Sequence, residues 1–154
     1  MKAAKVVTTS SLHLKVRSRL AEVDPVCREI RSLLEDNGQG AVCFPVELLA
    51  REWLNNAIIH GNRRDTTKTV ALNLRVGRRW ICLEIIDEGN GFNWRKARGA
   101  PPPDDTFTGG RGLPISALYA HRVTFNQRGN RITLWLKKAS KGGSRQHGRL
   151  HDRT

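Results

Sequence analysis

The 154-residue sequence has no apolar run close to the ~20 residues that a membrane-spanning helix requires. Lysines stand at positions 2 and 5, but no apolar stretch follows them, so we expect no signal peptide. Cysteine is also scarce: Cys27, Cys43 and Cys82 are odd in number, widely spaced and without a C-x-x-C pair. This usage favours a reduced, cytoplasmic protein with buried thiols over a disulfide framework or a zinc site.

Acidic residues are few, with 14 Asp and Glu against 27 Lys and Arg and a formal net charge of +13. Such an excess raises the question of an anionic partner, nucleic acid in particular. Six of the basic residues lie within residues 137–154, and the others are scattered rather than gathered on one predicted helix. Only 6% of the residues are aromatic and no nucleic-acid-binding motif is present, so we do not expect a nucleic-acid partner.

The hydrophobic pattern predicts a single domain with loose ends. We assign residues 1–10 to a flexible N-terminus, residues 11–138 to the folded domain and residues 139–154 to a basic, disordered tail. The predicted elements follow the order strand, helix, helix, strand, strand, long loop, helix, strand, strand. Strands joined by hairpins, with the helices elsewhere in the order, favour an α+β fold. We expect a two-layer sandwich in which a mostly antiparallel, mixed sheet carries helices on one face.

The second predicted helix, from about residue 45 to residue 60, carries a polar stripe on an otherwise apolar segment. Glu52, Asn56 and His60 are spaced by four residues, which places them on one face of the helix. A carboxylate there could act as a general base, and Asn56 could offer its side-chain oxygen to Mg²⁺. The alternative is that Glu52 and Asn56 face solvent and that His60 only ends the helix near its negative pole.

Two glycine-containing segments also suggest a ligand site. Asp87 follows an apolar predicted strand, in D-E-G-N-G, where its carboxylate could accept a hydrogen bond from an exocyclic amine. Gly89 and Gly91 lack a Cβ and would let the backbone approach a ligand closely. The segment G-G-R-G, residues 109–112, opens a short predicted helix, where backbone N–H groups and Arg111 would form a phosphate cradle. Taken alone, each segment also fits an ordinary turn or a flexible loop.

The three segments in order, E-x-x-x-N-A-x-x-H-G, D-x-G-x-G and G-R-G-L, resemble the N, G1 and G2 boxes of the GHKL ATPases, which have the Bergerat fold. The resemblance covers about residues 10–138. The chain resembles one branch of these ATPases in three features: the form N-A-I-I-H-G-N, the small size and the lack of an upstream phospho-acceptor helix. That branch is the anti-sigma-factor serine/threonine kinases, which partner STAS-domain anti-anti-sigma proteins.

The resemblance implies a role for each residue of the first two boxes. Glu52 would be the base that activates the attacking hydroxyl, and Asn56 would coordinate Mg²⁺ beside the nucleotide. Asp87 would read the adenine amino group, with Gly89 and Gly91 shaping the base pocket.

For the third box, the resemblance implies nucleotide contacts at Gly110, Arg111, Gly112 and Leu113. Residues about 93–109 would form the ATP lid. The last hairpin of the family usually carries a Gly-Thr pair, whereas here it reads R-G-N-R-I-T, which leaves Thr133 as the candidate contact.

The implied function is that of a cytoplasmic bacterial protein serine/threonine kinase that uses ATP and Mg²⁺ and regulates transcription as an anti-sigma factor. Its partners would be a STAS-domain anti-anti-sigma protein, which it phosphorylates, a sigma factor and a second copy of itself in a homodimer. The alternative is a nucleotide-binding regulatory module, catalytically weak, that controls a partner by binding alone. The lid segment A-P-P-P-D-D favours this alternative, because proline stiffens the backbone.

Overall fold

A computed structural model of the chain describes residues 4–7, 10–98 and 112–140. The strands are β1 (Ala4–Val7), β2 (Ser11–Arg17), β3 (Thr69–Val76), β4 (Trp80–Ile86), β5 (Arg122–Phe125) and β6 (Arg131–Lys137). The helices are α1 (Val23–Asp36), α2 (Cys43–Asn56), α3 (Trp94–Arg98) and α4 (Gly112–Tyr119). The six described strands form one sheet in the order β1-β2-β3-β4-β6-β5, and each neighbouring pair is antiparallel. The prediction of an α+β fold is confirmed.

The sheet has a buried face and an open face. Strands β2, β4 and β6 bury every second residue, as the two-residue period of a half-buried strand requires. The buried positions join the apolar stripe of α1, in which Val26, Ile30, Leu33 and Leu34 recur at helical spacing. Burial of each such side chain stabilises the fold by ~1.5–3 kcal/mol, so this layer is the core. The predicted arrangement of helices on one face is confirmed.

Two ion pairs dock α2 on α1. Arg31 donates to both carboxylate oxygens of Glu47 over 2.6 and 2.8 Å, and Arg51 donates to Asp24 over 2.7 Å. Exposed pairs of this kind contribute ~1 kcal/mol or less each. Their main effect is therefore on orientation, because the forked Arg31 contact fixes how α2 lies along α1.

Two elements differ from the sequence predictions. The strand β1 lies inside residues 1–10, which we expected to be loose, and it pairs with β2 at the edge of the sheet with all four residues exposed. The second helix ends at Asn56 and continues as a π-helical turn, Ala57–Gly61. Asn62 closes this turn by donating its backbone N–H to the carbonyl of Ala57 over 2.7 Å.

Two predicted segments lie largely outside the described residues. Of the predicted lid, about 93–109, the structure describes only its beginning through residue 98. Of the predicted tail, 139–154, it describes residues 139 and 140. Among the helices that are described, none has the length and apolarity needed to cross a membrane.

Candidate functional site

Three segments that are distant in the sequence meet at one end of the sheet. Gly61 ends the π turn, Asp87 directly follows β4, and Gly112 begins α4. A Cβ built on Gly61 would lie 2.8 Å from Oδ1 of Asp87 and closer still to the rest of its carboxyl group. A Cβ built on Gly112 would lie 3.0 Å from Nδ2 of Asn56 and 3.0 Å from Cζ2 of Trp53. The chain therefore brings parts of all three predicted boxes into contact.

Asp87 is held firmly at the end of β4. Its Oδ1 accepts a hydrogen bond from Gly89 N–H over 2.8 Å. Its backbone N–H donates to the carbonyl of Asn130 over 3.0 Å, and Nδ2 of Asn130 donates to the carbonyl of Asp87 over 2.9 Å. Oδ2 makes no hydrogen bond within the described residues and remains available to a donor from outside the chain.

Burial raises the pKa of Asp87 above its ordinary value, although the Gly89 N–H and the nearby charge of Lys68 act in the opposite direction. The folded chain thus holds this proton more tightly than the unfolded chain does. Ionised Asp87 consequently costs folding free energy above the raised pKa, and this cost vanishes below the unfolded value. A partly buried carboxylate that costs stability is a common mark of a binding or catalytic site.

Asn62 positions this part of the site from beneath. Its side chain is buried, with Nδ2 donating to the carbonyl of Thr69 over 2.9 Å and Oδ1 accepting from Glu88 N–H over 2.8 Å. One carboxamide therefore ties the π turn to the start of β3 and to the residue after Asp87. A Gly-Asn pair at the end of a helix predicts a helix stop, but nothing in it indicates partners that lie so far along the chain.

The segment around Asn62 is strained. A π turn occurs often at functional sites, and here it ends at Gly61, against the Asp87 carboxylate. After Asn62, Arg63 and Arg64 have φ angles of 52° and 59°. These values lie in the left-handed region, which costs a residue other than glycine ~1–2 kcal/mol. His60 lies within the turn and is exposed.

Glu52 and Asn56 lie one helical turn apart on α2, and both side chains are half-buried. Of the three charged residues of this helix, Glu47 and Arg51 are paired with α1, whereas Glu52 has no ion pair or hydrogen bond within the described chain. The Asn56 carboxamide likewise has no hydrogen-bond partner among the described residues. Because no internal partner within the described residues engages these two polar groups, both are candidates for ligand contacts.

An aromatic cluster packs against α2, and no pattern in the sequence indicates it. Trp53 donates its indole N–H to the buried Ser116 hydroxyl of α4 over 2.9 Å. Its ring packs edge-on against Phe125, with 5.6 Å between the centroids. Phe92 and Trp94 contact the same Phe125 ring at 5.4 and 5.5 Å. The cluster joins α2, α4, β5 and the segment after β4, and it fixes the positions of Glu52 and Asn56.

Both predicted glycines after Asp87 permit close contacts between backbone segments. A Cβ on Gly89 would collide with the carbonyl of Gly61. Gly91 has a φ of 79°, and a Cβ there would collide with the carbonyl of Arg128 in the last hairpin. Their closest neighbours in the structure are therefore other loops of the chain, and their predicted role in shaping a base pocket stays a prediction.

The other residues predicted to contact the nucleotide do not all lie near Asp87. Leu113 is half-buried and packs against the core. Thr133 lies opposite Glu84 and Thr124 on the open face of the sheet, and the structure does not bring it to Asp87. The residue of the last hairpin that lies beside Asp87 is Asn130, one position after Gly129. Gly110 and Arg111 lie outside the described residues.

Comparison with known proteins covers this same part of the chain. The profile of the histidine kinase-like ATPase domain matches residues 16–138, a range that includes all three segments of the candidate site. Serine/threonine-protein kinase BtrW of Bordetella bronchiseptica is 30% identical over 106 residues, which are 66% of this chain and 75% of that protein.

Proposed function

This chain belongs to the histidine kinase-like ATPase domain family, and we propose that it is a protein serine/threonine kinase that uses ATP and Mg²⁺ and acts as an anti-sigma factor. Family membership implies ATP binding and kinase-like chemistry. The finer proposal is phosphorylation of a STAS-domain anti-anti-sigma protein. It is supported by the resemblance of the three boxes and by the relative that is named a serine/threonine-protein kinase. A sigma-factor partner, a homodimer and a cytoplasmic location remain predictions.

One observation carries the proposal: Glu52 and Asn56 are half-buried and unpaired within the described residues, next to the place where α4 meets α2. A module that only bound a nucleotide would have no need of a carboxylate at that position. A group that accepts a proton from a substrate hydroxyl, by contrast, needs an oxygen within hydrogen-bond reach of that hydroxyl, and no internal ion pair of the described residues occupies Glu52.

Each residue would then have a distinct task. Glu52 would accept the proton of the Ser or Thr hydroxyl as its oxygen bonds to the γ-phosphorus and the bond to the β-phosphate oxygen breaks. Oδ2 of Asp87 would accept a hydrogen bond from the adenine amino group, because Oδ1 already accepts from Gly89.

The residues present fit a magnesium ion that is shared with phosphate oxygens. The described residues contain no cluster of three His, Cys, Asp or Glu side chains that could hold a metal ion. Mg²⁺ commonly takes one or two protein ligands and completes its shell with phosphate oxygens and waters. Oδ1 of Asn56 would be that protein ligand, and the bound ion would neutralise charge on the phosphates.

The test is transfer of labelled γ-phosphate from ATP to purified STAS-domain proteins of the same organism. Glu52→Gln should lower the transfer rate by ~10²–10⁴-fold, the usual contribution of a general base, with ATP affinity by calorimetry unchanged. Glu35→Gln is the matched control, because Glu35 is exposed on α1 and takes part in neither ion pair between α1 and α2, and it should transfer at the wild-type rate. Full transfer by the Glu52→Gln variant would refute the assigned role.

The second candidate is the regulatory module that controls a partner by binding alone, and the A-P-P-P-D-D sequence at residues 100–105 favours it. Binding of ATP and Mg²⁺ without transfer to any of the tested STAS-domain proteins would support this candidate and overturn the kinase proposal.

A further inference from the structure

Positive charge is concentrated at the end of the sheet that lies away from the candidate site. Strand β4 begins at that end with Trp80 and ends with Ile86, next to Asp87. At the rise of an extended strand, Trp80 and Ile86 are ~20 Å apart. Six cationic side chains gather there from β3, the β3–β4 turn, β5 and the end of β6. They are Arg75, Arg78, Arg79, Arg122, Lys137 and Lys138, together termed the basic end of the sheet.

The fold does not neutralise this charge. Within the described residues, none of the six side chains forms an ion pair. The segments that supply them, residues 75–82, 121–126 and 134–140, contain no Asp or Glu. Glu84 lies further along β4 and is engaged by Asn73 and Arg131. Six like charges repel one another in the isolated chain, so their complement is an anionic surface from outside it.

Two tryptophans lie among these cations. The Arg122 guanidinium lies 5.2 Å from the ring centroid of Trp135, and the Lys137 ammonium lies 6.0 Å from that of Trp80. The ring of His121 lies 4.7 Å from Trp80. Since both indoles already contact side chains of this chain, they are poorly placed for the base stacking on which single-strand nucleic-acid binding depends. Tryptophan and arginine are instead the residues that dominate protein–protein hot spots.

We propose that the basic end of the sheet is a docking surface for an acidic segment of a partner protein. Charge complementarity identifies the occupant as acidic, and the pre-ordered Trp–Arg and Trp–Lys contacts identify it as protein. A second copy of this chain would present the same positive charge and be repelled. The surface lies ~20 Å from Asp87 along β4, and Arg75, Arg122 and Lys137 lie on the face opposite the helices. It therefore binds its partner without competing for the candidate site.

The experiment uses the full chain and a fluorescein-labelled peptide of 20 glutamates, with binding measured by anisotropy at 50 and 300 mM KCl. The double variant Arg79→Glu/Arg122→Glu should bind the peptide at least 10-fold more weakly than the wild type. The control variant Arg19→Glu/Arg28→Glu makes the same change in net charge at exposed positions beside and on α1, and it should lose less than 3-fold. ATP affinity should be the same in all three proteins.

Three outcomes would overturn the proposal. Equal losses in the two double variants would mean that the peptide senses only the overall charge. A 20-nucleotide oligo-dT that binds the basic end at least 10-fold more tightly than the peptide would make it a nucleic-acid site. A change in oligomeric state of Arg79→Glu/Arg122→Glu by sedimentation, with peptide binding retained, would assign the surface to a second copy. Because no arm involves phosphotransfer, failure here is distinguishable from failure of the kinase proposal.

Discussion

Replacing Gly61 by alanine tests whether Asp87 is held in place by the close contact between them. The added Cβ would lie 2.8 Å from Oδ1 and nearer still to the rest of the carboxyl group, inside the 3.0 Å that real Cβ atoms essentially never cross. The carboxylate is not free to swing away, because Oδ1 is bound by Gly89 N–H and the Asp87 backbone is tied to Asn130. Overpacking of this kind costs ~1–3 kcal/mol.

Two assays measure the consequence. For a chain of this size, 1 kcal/mol corresponds to ~2–4 °C in Tm, so Gly61→Ala should unfold ~2–12 °C below the wild type. Calorimetry should show ATP affinity reduced at least ~10-fold. A loss of ~1.4 kcal/mol of interaction between the displaced Asp87 and the nucleotide suffices for that factor. Gly40→Ala is the control: nothing lies within 4 Å of its added Cβ, so Tm and affinity should not fall. Gly61→Ala with wild-type Tm and affinity would refute the reasoning.

Three further predictions concern charge and backbone strain. Asp87→Asn should raise the free energy of unfolding in urea at pH 7 while abolishing ATP binding, because the half-buried carboxylate, whose pKa is raised, costs stability when it is ionised. This gain in stability should vanish as the pH falls toward 3.8, the ordinary pKa. Asp65→Asn should instead lower the free energy of unfolding at pH 7, because hydrogen bonds from Thr67 lower the pKa of Asp65. The stability that ionised Asp65 adds is present above pH 3.8 and disappears as the pH falls through the lowered pKa. A change of the same sign in both variants would contradict these assignments. Arg64→Gly should stabilise the chain by ~0.5–1 kcal/mol, the left-handed strain less the entropy of glycine. Arg19→Gly, at a φ of −133°, should lower stability in the same urea titrations, and equal effects would argue against strain at Arg64.

The sequence predicted those features of the site that depend on local geometry. Glu52 and Asn56 share a face of α2 because residues four apart in any α-helix do. Asp87 lies at a strand end because an apolar run stops immediately before it. The strand β1 was not predicted, because four exposed residues carry no alternation of apolar and polar positions.

Features that depend on strand register and long-range contacts were beyond sequence analysis. Thr133 was the predicted contact in the last hairpin, but the pairing of Ile132 with Ile85 turns Thr133 to the open face. The same register places Asn130 beside Asp87, a position that no local pattern distinguishes from an ordinary turn. The partners of Asn62 lie 7 and 26 positions away, which is why its positioning role appears only in the fold.

The destabilising features of the fold concentrate around Gly61, and this distribution is itself an argument for a functional site. The half-buried carboxylate of Asp87, whose pKa is raised, lies against Gly61, where the π turn ends. The two arginines with left-handed φ angles follow Gly61 by two and three positions. The side-chain hydrogen bonds of Asn62 and the buried residues of α2 hold this segment in place. Neither the backbone strain nor the partly desolvated charge of Asp87 stabilises the fold. Selection for stability alone would remove both at small cost, since single substitutions at Asp87 and Arg64 suffice. Their presence is therefore explained by a ligand that uses the geometry of this segment. Asp87→Asn tests the ligand contact, and Arg64→Gly tests the backbone strain.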